Sequence, residues 1–213
     1  EALALARSGR LQAARRSSGR AVDLALQEGA REEAANYRAA RAVWETVCGD
    51  TSEGKASAMA SLALSKGRDV EYAACFALAL SGSSSRSEAL AEDLVKRFPE
   101  DTFVKFTYAP VLRALVALDR GKPADGVERL EIARRFELAV NGLNFPQFNL
   151  GGLHSAYVRG EAFLAAHRHA EAAAEFQKIL DHRGLVGLDP IGHLAHLQLG
   201  RAYTLSGDNA KAK

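Results

Sequence analysis

Proline, cysteine and the sulfur and indole side chains are scarce in this chain. Its 213 residues hold five prolines, two cysteines, one methionine and one tryptophan. So few prolines leave long stretches free to be helical. Cys48 and Cys75 are too few for a disulfide framework or a zinc knuckle, and a free cysteine packs as a small hydrophobe; spacing alone does not say whether the two are neighbours. No wholly apolar run approaches the roughly 20 residues that a membrane span needs. A dominant charge is missing too: 28 Lys and Arg stand against 26 Asp and Glu, a net of +2, which supplies no overall field for a nucleic-acid backbone. No charged-then-apolar leader opens the chain. It begins inside helical periodicity at Ala2–Leu5 and stops in the same pattern near Lys213, so it reads as a segment of a longer protein. The compartment is left open, either cytoplasmic or the extracytoplasmic part of a membrane-anchored parent.

What is present is alanine, leucine, glutamate and arginine recurring at three- and four-residue intervals. No stretch alternates apolar and polar residues between turn signals, so the chain reads as all-α. Short turns stand at Ser8–Gly9, Gly49–Asp50, Ser81–Gly82, Arg120–Gly121, His167–Arg168 and Ser206–Gly207, separated by 40, 33, 39, 46 and 40 residues. That spacing is the mark of helix-pair repeats. Six hairpins are expected, the first and last incomplete. Their first helices run near 1–8, 31–48, 68–81, 102–119, 151–167 and 190–206, and their second near 10–28, 52–66, 84–98, 123–137, 169–182 and from 208 onward. Pro110 is expected to kink or break the helix that starts near Thr102.

One glycine breaks helical preference and narrows the architecture. In "RGEAFLAAHRHAEAAAEF" Gly160 lies three residues before Phe163, twelve before Ala172 and sixteen before Phe176. In "LGRAYTLSGDNAKAK" Gly200 repeats the relation to Tyr203 and Ala212. Glycine costs about 1 kcal/mol against alanine inside a helix; a close approach of two helices, Gly160 facing Ala172 across the turn, accounts for it. These spacings resemble the tetratricopeptide repeat. The likeness is strong over 102–213, where Ala114, Ala117, Gly126 and Leu130 keep the outline of an earlier copy, and degenerate over 1–101. The resemblance implies one repeat domain over 1–213, a right-handed α-α superhelix whose first helices line a concave groove for a protein or peptide ligand. Helical periodicity then puts Tyr108, Val111, Leu115, Tyr157, Glu161, Leu197 and Arg201 on that inner wall. The paired Lys and Asn that hold a carboxylate tail in some members are not found at these positions.

The strings "EDLVKRFPEDT", "YVRGEAFLAA", "AAAEFQKILDHRG" and "PIGHLAHLQLGRAYTLSGD" are similar to the C-terminal repeat region of bacterial serine/threonine protein kinases, or of winged-helix transcriptional regulators. That resemblance implies a noncatalytic interaction module, regulatory or sensory, with no cofactor of its own.

Other motifs have plainer readings. "GDTSEGKA", residues 49–56, has phosphate-loop spacing, but Ala56 stands where magnesium needs a hydroxyl and no strand precedes it. His193 and His196 can share a helix face, and His167 and His169 flank a turn; a metal-dependent enzyme using them is the remote alternative, since no third ligand stands at a telling distance. Arg7, Arg10, Arg15, Arg16 and Arg20 form a basic run that reads as a solvated face, with acidic partners expected near Glu28, Glu32 and Glu33. The insertion at 138–152 carries Leu143, Phe145 and Phe148. It reads either as a loop tucked against the repeat edge or as a contact loop for a partner or for self-association.

Overall fold

The computed structural model describes residues 1–139 and 152–212. Among them no strand occurs, and there are twelve α-helices. Leu143, Phe145 and Phe148 of the expected contact loop lie outside the described residues. The chain divides into two compact units, the first over Glu1–Glu100 and the second from Asp101 onward.

In the first unit the helices are α1 (Ala2–Arg7), α2 (Leu11–Gln27), α3 (Arg31–Val47), α4 (Thr51–Leu64), α5 (Arg68–Leu80) and α6 (Ser84–Arg97). In the second they are α7 (Ala109–Asp119), α8 (Pro123–Leu130), α9 (Leu153–Ala165), α10 (His169–Asp181), the short α11 (Arg183–Val186) and α12 (Ile191–Leu205). Within the first unit α3 packs on α2, α4 and α5, and α4 also packs on α5. Within the second α9 packs on α7, α8, α10 and α12, and α10 also packs on α12. Thus α5 touches its own partner α6 and both helices of the pair before it, and α9 touches α10 and both α7 and α8.

The hairpins look alike because their turns are chemically alike. Every expected turn holds one residue in the left-handed region: Gly9, Gly49, Gly82, Gly121, His167 and Gly207. Around it the same two bonds close the first helix. The Gly9 amide donates to Ala6 O and Arg10 to Leu5 O, both at 2.9 Å; the His167 amide donates to Leu164 O at 3.0 Å and Arg168 to Phe163 O at 2.8 Å. The other four turns repeat the pair. This is the Schellman closure, for which glycine is preferred because it adopts positive φ without strain. His167, at φ 58°, is the one non-glycine with positive φ among the described residues.

Counting from that residue gives the register of the whole fold. Seven before and five after it stand Ala2 and Ala14, Ala42 and Gly54, Cys75 and Ser87, Ala114 and Gly126, Gly160 and Ala172, Gly200 and Ala212. All are small, and in all but the last pair, where no second helix follows, they lie on the two helices of one hairpin. The Ser87 hydroxyl donates to Cys75 O at 2.9 Å. A Cβ on Gly54 would lie 3.0 Å from Ala42 O, one on Gly126 3.4 Å from Ala114 O, and one on Gly200 3.7 Å from Ala212 O. At Gly160 the ring of Phe176 fills the space, 2.6 Å from where a Cβ would stand.

Two expectations are corrected. Pro110 does not end its helix, which is α-helical at 102–103, π-helical at 104–108 and α-helical again from Ala109. A π-helical turn over Val104–Tyr108 runs directly into α7 and leaves Pro110 in its first turn, where its missing N–H costs nothing. The second helix expected from 208 onward does not form among the described residues; 208–212 carries only turns.

Candidate functional site

The seven residues predicted to line an inner wall separate into two groups. Tyr108, Val111 and Leu115 are buried, Val111 completely, and belong to the interior of the second unit. The other four converge. Tyr157 and Glu161 are one turn apart on α9, Leu197 and Arg201 one turn apart on α12, and these two helices touch. They hold equivalent places on α9 and α12, ten and six residues before His167 and Gly207.

The wall has an apolar floor and a polar face. Tyr157 is buried, with its ring edge-on to Phe176 at 5.8 Å. Its hydroxyl faces Glu161 and Gln198, and burial, followed by the Glu161 charge, pushes its ionisation well above the ordinary tyrosine value. Glu161 is half-buried. Burial raises its carboxyl above the usual range, and Arg201 and the Tyr157 hydroxyl oppose that rise only in part. Its Oε1 atom is buried with no hydrogen-bond partner. Arg201 Nη1 donates to Gln198 Oε1 at 3.1 Å. Leu197, next to Gln198 in sequence and one turn before Arg201, is 60% exposed. Gln198 was not among the expected residues; its place next to Leu197, on the turn that faces α9, is the only sequence signal for it.

A second polar cluster is structural. Arg159 has no exposed surface and is saturated: Nε and Nη2 donate to Glu175 at 2.9 and 2.6 Å, Nη2 meets Glu137 Oε1 at 2.5 Å, and Nη1 donates to Leu130 O at 3.2 Å. Lys178 Nζ donates to Glu137 at 2.7 Å and Arg134 to Glu175 at 2.9 Å. Three cations meet two buried carboxylates here, and every acceptor is used. The cluster ties α9 and α10 to the 3-10 stretch over Glu131–Phe136.

One arginine of the basic run, Arg15, is neutralised by Glu45 and Asp50 rather than by Glu28, Glu32 or Glu33. Arg15 donates to Glu45 at 2.9 Å and also meets Asp50. Glu45 is fully buried and accepts as well from Arg41 at 2.8 Å and from Ser57 at 2.9 Å. Asp50 also caps α4 through the Glu53 amide at 3.2 Å. Of the amides at 49–56, that of Glu53 is taken by the protein's own Asp50 carboxylate, and those of Gly49, Asp50 and Gly54 by backbone carbonyls.

The histidines do not converge. His154 Nε2 lies 2.8 Å from Asp189 Oδ2, both buried, and Asp189 Oδ1 accepts from the Ile191 amide at 3.0 Å to start α12. His182 Nδ1 lies 2.8 Å from Lys178 O. The rings of His167 and His169 are 6.1 Å apart, and His193 and His196 are exposed on α12. Among the described residues no group of three or more His, Cys, Asp or Glu is placed to hold a metal, and no helix is long and apolar enough to cross a membrane. Cys48 is exposed and Cys75 buried; burial pushes the Cys75 thiol up to about 12.

Comparison of the chain with protein-family models, with curated proteins and with solved structures gives no match.

Proposed function

We propose that the chain is a noncatalytic, tetratricopeptide-like interaction module that takes a peptide segment against the α9–α12 wall. The observation that carries this reading is the meeting of Tyr157, Glu161, Gln198, Leu197 and Arg201 at equivalent positions of α9 and α12. Leu197 offers apolar contact, Glu161 Oε1 an unused acceptor, and Arg201 a cation. An unpaired buried acceptor costs stability, and a ligand N–H would recover that cost. The sequence likeness supports a parent with a serine/threonine kinase head, or with a winged-helix regulator head; in either case binding would position the parent chain or shift its association.

The test is capture from native lysate by the wild type and by a Leu197→Asp, Arg201→Glu double variant. Both residues are exposed, so the fold should be unaffected. Partners lost by the variant, with an unchanged melting curve, are expected. Partners held equally by both proteins would remove this wall as the site.

A further inference from the structure

Among the described residues four glutamates are buried, and each is met by a cation of the chain itself: Glu45 by Arg41, Glu71 by Arg97, Glu137 by Lys178 and Glu175 by Arg159. This is the ordinary condition for holding a carboxylate out of water, because an unpaired charge there is strongly destabilising. Glu161 departs from it. Its Oε1 atom is buried with no hydrogen-bond partner. The cation whose charge acts on it, Arg201, is turned to another acceptor and donates from Nη1 to Gln198 Oε1 at 3.1 Å.

The helices around Glu161 show why the chain does not supply the missing charge. α9 packs against both α7 and α12. Six residues before its turn residue α7 carries Leu115, where α9 carries Glu161 and α12 carries Arg201. The equivalent place is therefore apolar on one neighbour, and on the other it holds a guanidinium engaged by Gln198. Tyr157, one turn before Glu161, brings a neutral hydroxyl that also faces Gln198. Leu197, exposed and one turn before Arg201, offers an apolar surface for a methylene stem. Beyond the bond to Gln198, Arg201 keeps N–H donors for a peptide carbonyl.

We propose that the α9–α12 wall selects a basic peptide segment: a lysine or arginine side chain sets its cation on Glu161 Oε1, with its stem or an apolar neighbour across Leu197 and a backbone carbonyl on Arg201. This selection presupposes that a peptide binds the wall, as proposed above, and adds which peptide it is. A neutral donor would complete the hydrogen bond but leave the carboxylate charge unmatched, and an acidic side chain would meet Glu161 with like charge. A ligand cation does for Glu161 what Arg41 does for Glu45.

The probe is n-butylammonium, the end of a lysine side chain, with n-butanol and n-butyrate as its neutral and anionic counterparts at equal ionic strength. Binding is read near neutral pH from the amide NMR signals of 157–161 and 197–201. Butylammonium should move them and saturate in the millimolar range that so small a ligand allows, while butanol and butyrate should not. Glu161→Gln should weaken that binding at least about tenfold. Arg201→Gln removes the opposing charge and, since the probe has no carbonyl to lose, should strengthen binding about two- to fivefold. Equal binding by the wild type and Glu161→Gln, butyrate bound in place of butylammonium, or no saturable shift would overturn the proposal. So would weaker binding in both variants, which marks a loosened wall rather than a lost charge. In the lysate capture, partners are expected to be lost on Glu161→Gln as well as on the Leu197→Asp, Arg201→Glu change. Partners lost only on the latter would overturn the basic-segment proposal and leave the wall as a peptide site. Partners held by both variants would remove the wall as a peptide site altogether.

Discussion

The ring of Phe176 lies 2.6 Å from the point where a Cβ on Gly160 would stand, so α9 and α10 meet through one hydrogen atom and one aromatic face. Phe176 is fully buried between Tyr157 and the rest of the second unit's core, and has nowhere to retreat. Gly160→Ala should therefore overpack the interface and cost about 1–3 kcal/mol. Gly200→Ala, at the equivalent position, meets only Ala212 O at 3.7 Å, an ordinary contact. It should be neutral or stabilise by up to about 1 kcal/mol through helix propensity. Urea denaturation of the two variants checks the contrast, and Phe176→Leu should relieve part of the Gly160→Ala cost. Equal effects at both glycines would contradict this packing.

His167 stands where five other turns use glycine, and its side chain is exposed. A non-glycine residue in the left-handed region costs roughly 1–2 kcal/mol, while glycine gives part of that back through the freedom of the unfolded chain. His167→Gly should raise stability by about 0.5–1 kcal/mol, read as a higher urea midpoint at unchanged slope. A lower midpoint would mean that the His167 ring makes a contact worth more than the strain.

How much of this was legible beforehand depends on the range of the interaction. The turns were, because positive φ selects glycine within a few residues of sequence. The small pairs twelve apart were also legible, because the turn length fixes which residues face one another. Periodicity gave the faces of α7, α9 and α12 without saying which face meets solvent, so Tyr108, Val111 and Leu115 read like Leu197 although they are core. The buried carboxylates were not legible. Glu45 has a legible partner in Arg41, four residues before it, but it also meets Arg15 30 residues away, and Glu175 meets Arg134 41 residues away. Neither separation is a helical spacing, and charged residues at helix-face positions ordinarily read as solvated.

Removing Arg159 should be among the most damaging substitutions in the second unit. Arg159→Met would leave Glu137 and Glu175 buried with fewer compensating donors, which typically costs about 3–5 kcal/mol. Glu137 keeps Lys178 and Ser155, and Glu175 keeps Arg134. Adding Glu175→Gln to Arg159→Met should therefore recover part of the loss, since the carboxylate that loses both of its Arg159 bonds is then no longer a buried charge. A double variant no more stable than the single one would show that Arg159 acts by packing alone.

Glu175 and Glu161 should give stability opposite dependences on pH. Burial pushes the Glu175 carboxyl up, but Arg159, with Lys178 and Arg134, outweighs it and holds the group below the usual range. Its contribution is fully present above the unfolded value of about 4.3 and is lost as pH falls through the lower folded value. At Glu161 burial wins over Arg201 and Tyr157, so the folded value is raised. The stability tied to its protonated form is then complete below about pH 4.3 and is lost as pH rises through the folded value. Glu161→Gln keeps the shape and removes that titration, so it should flatten the fall in stability above about pH 4.3 and leave the acid limb untouched. Glu175→Gln should do the reverse. Urea midpoints from pH 3 to 8 for the wild type and both variants would separate the two. Identical pH profiles for wild type and Glu161→Gln would mean that the carboxyl of Glu161 is as well solvated as in the unfolded chain, and that the α9–α12 wall carries no strained acceptor.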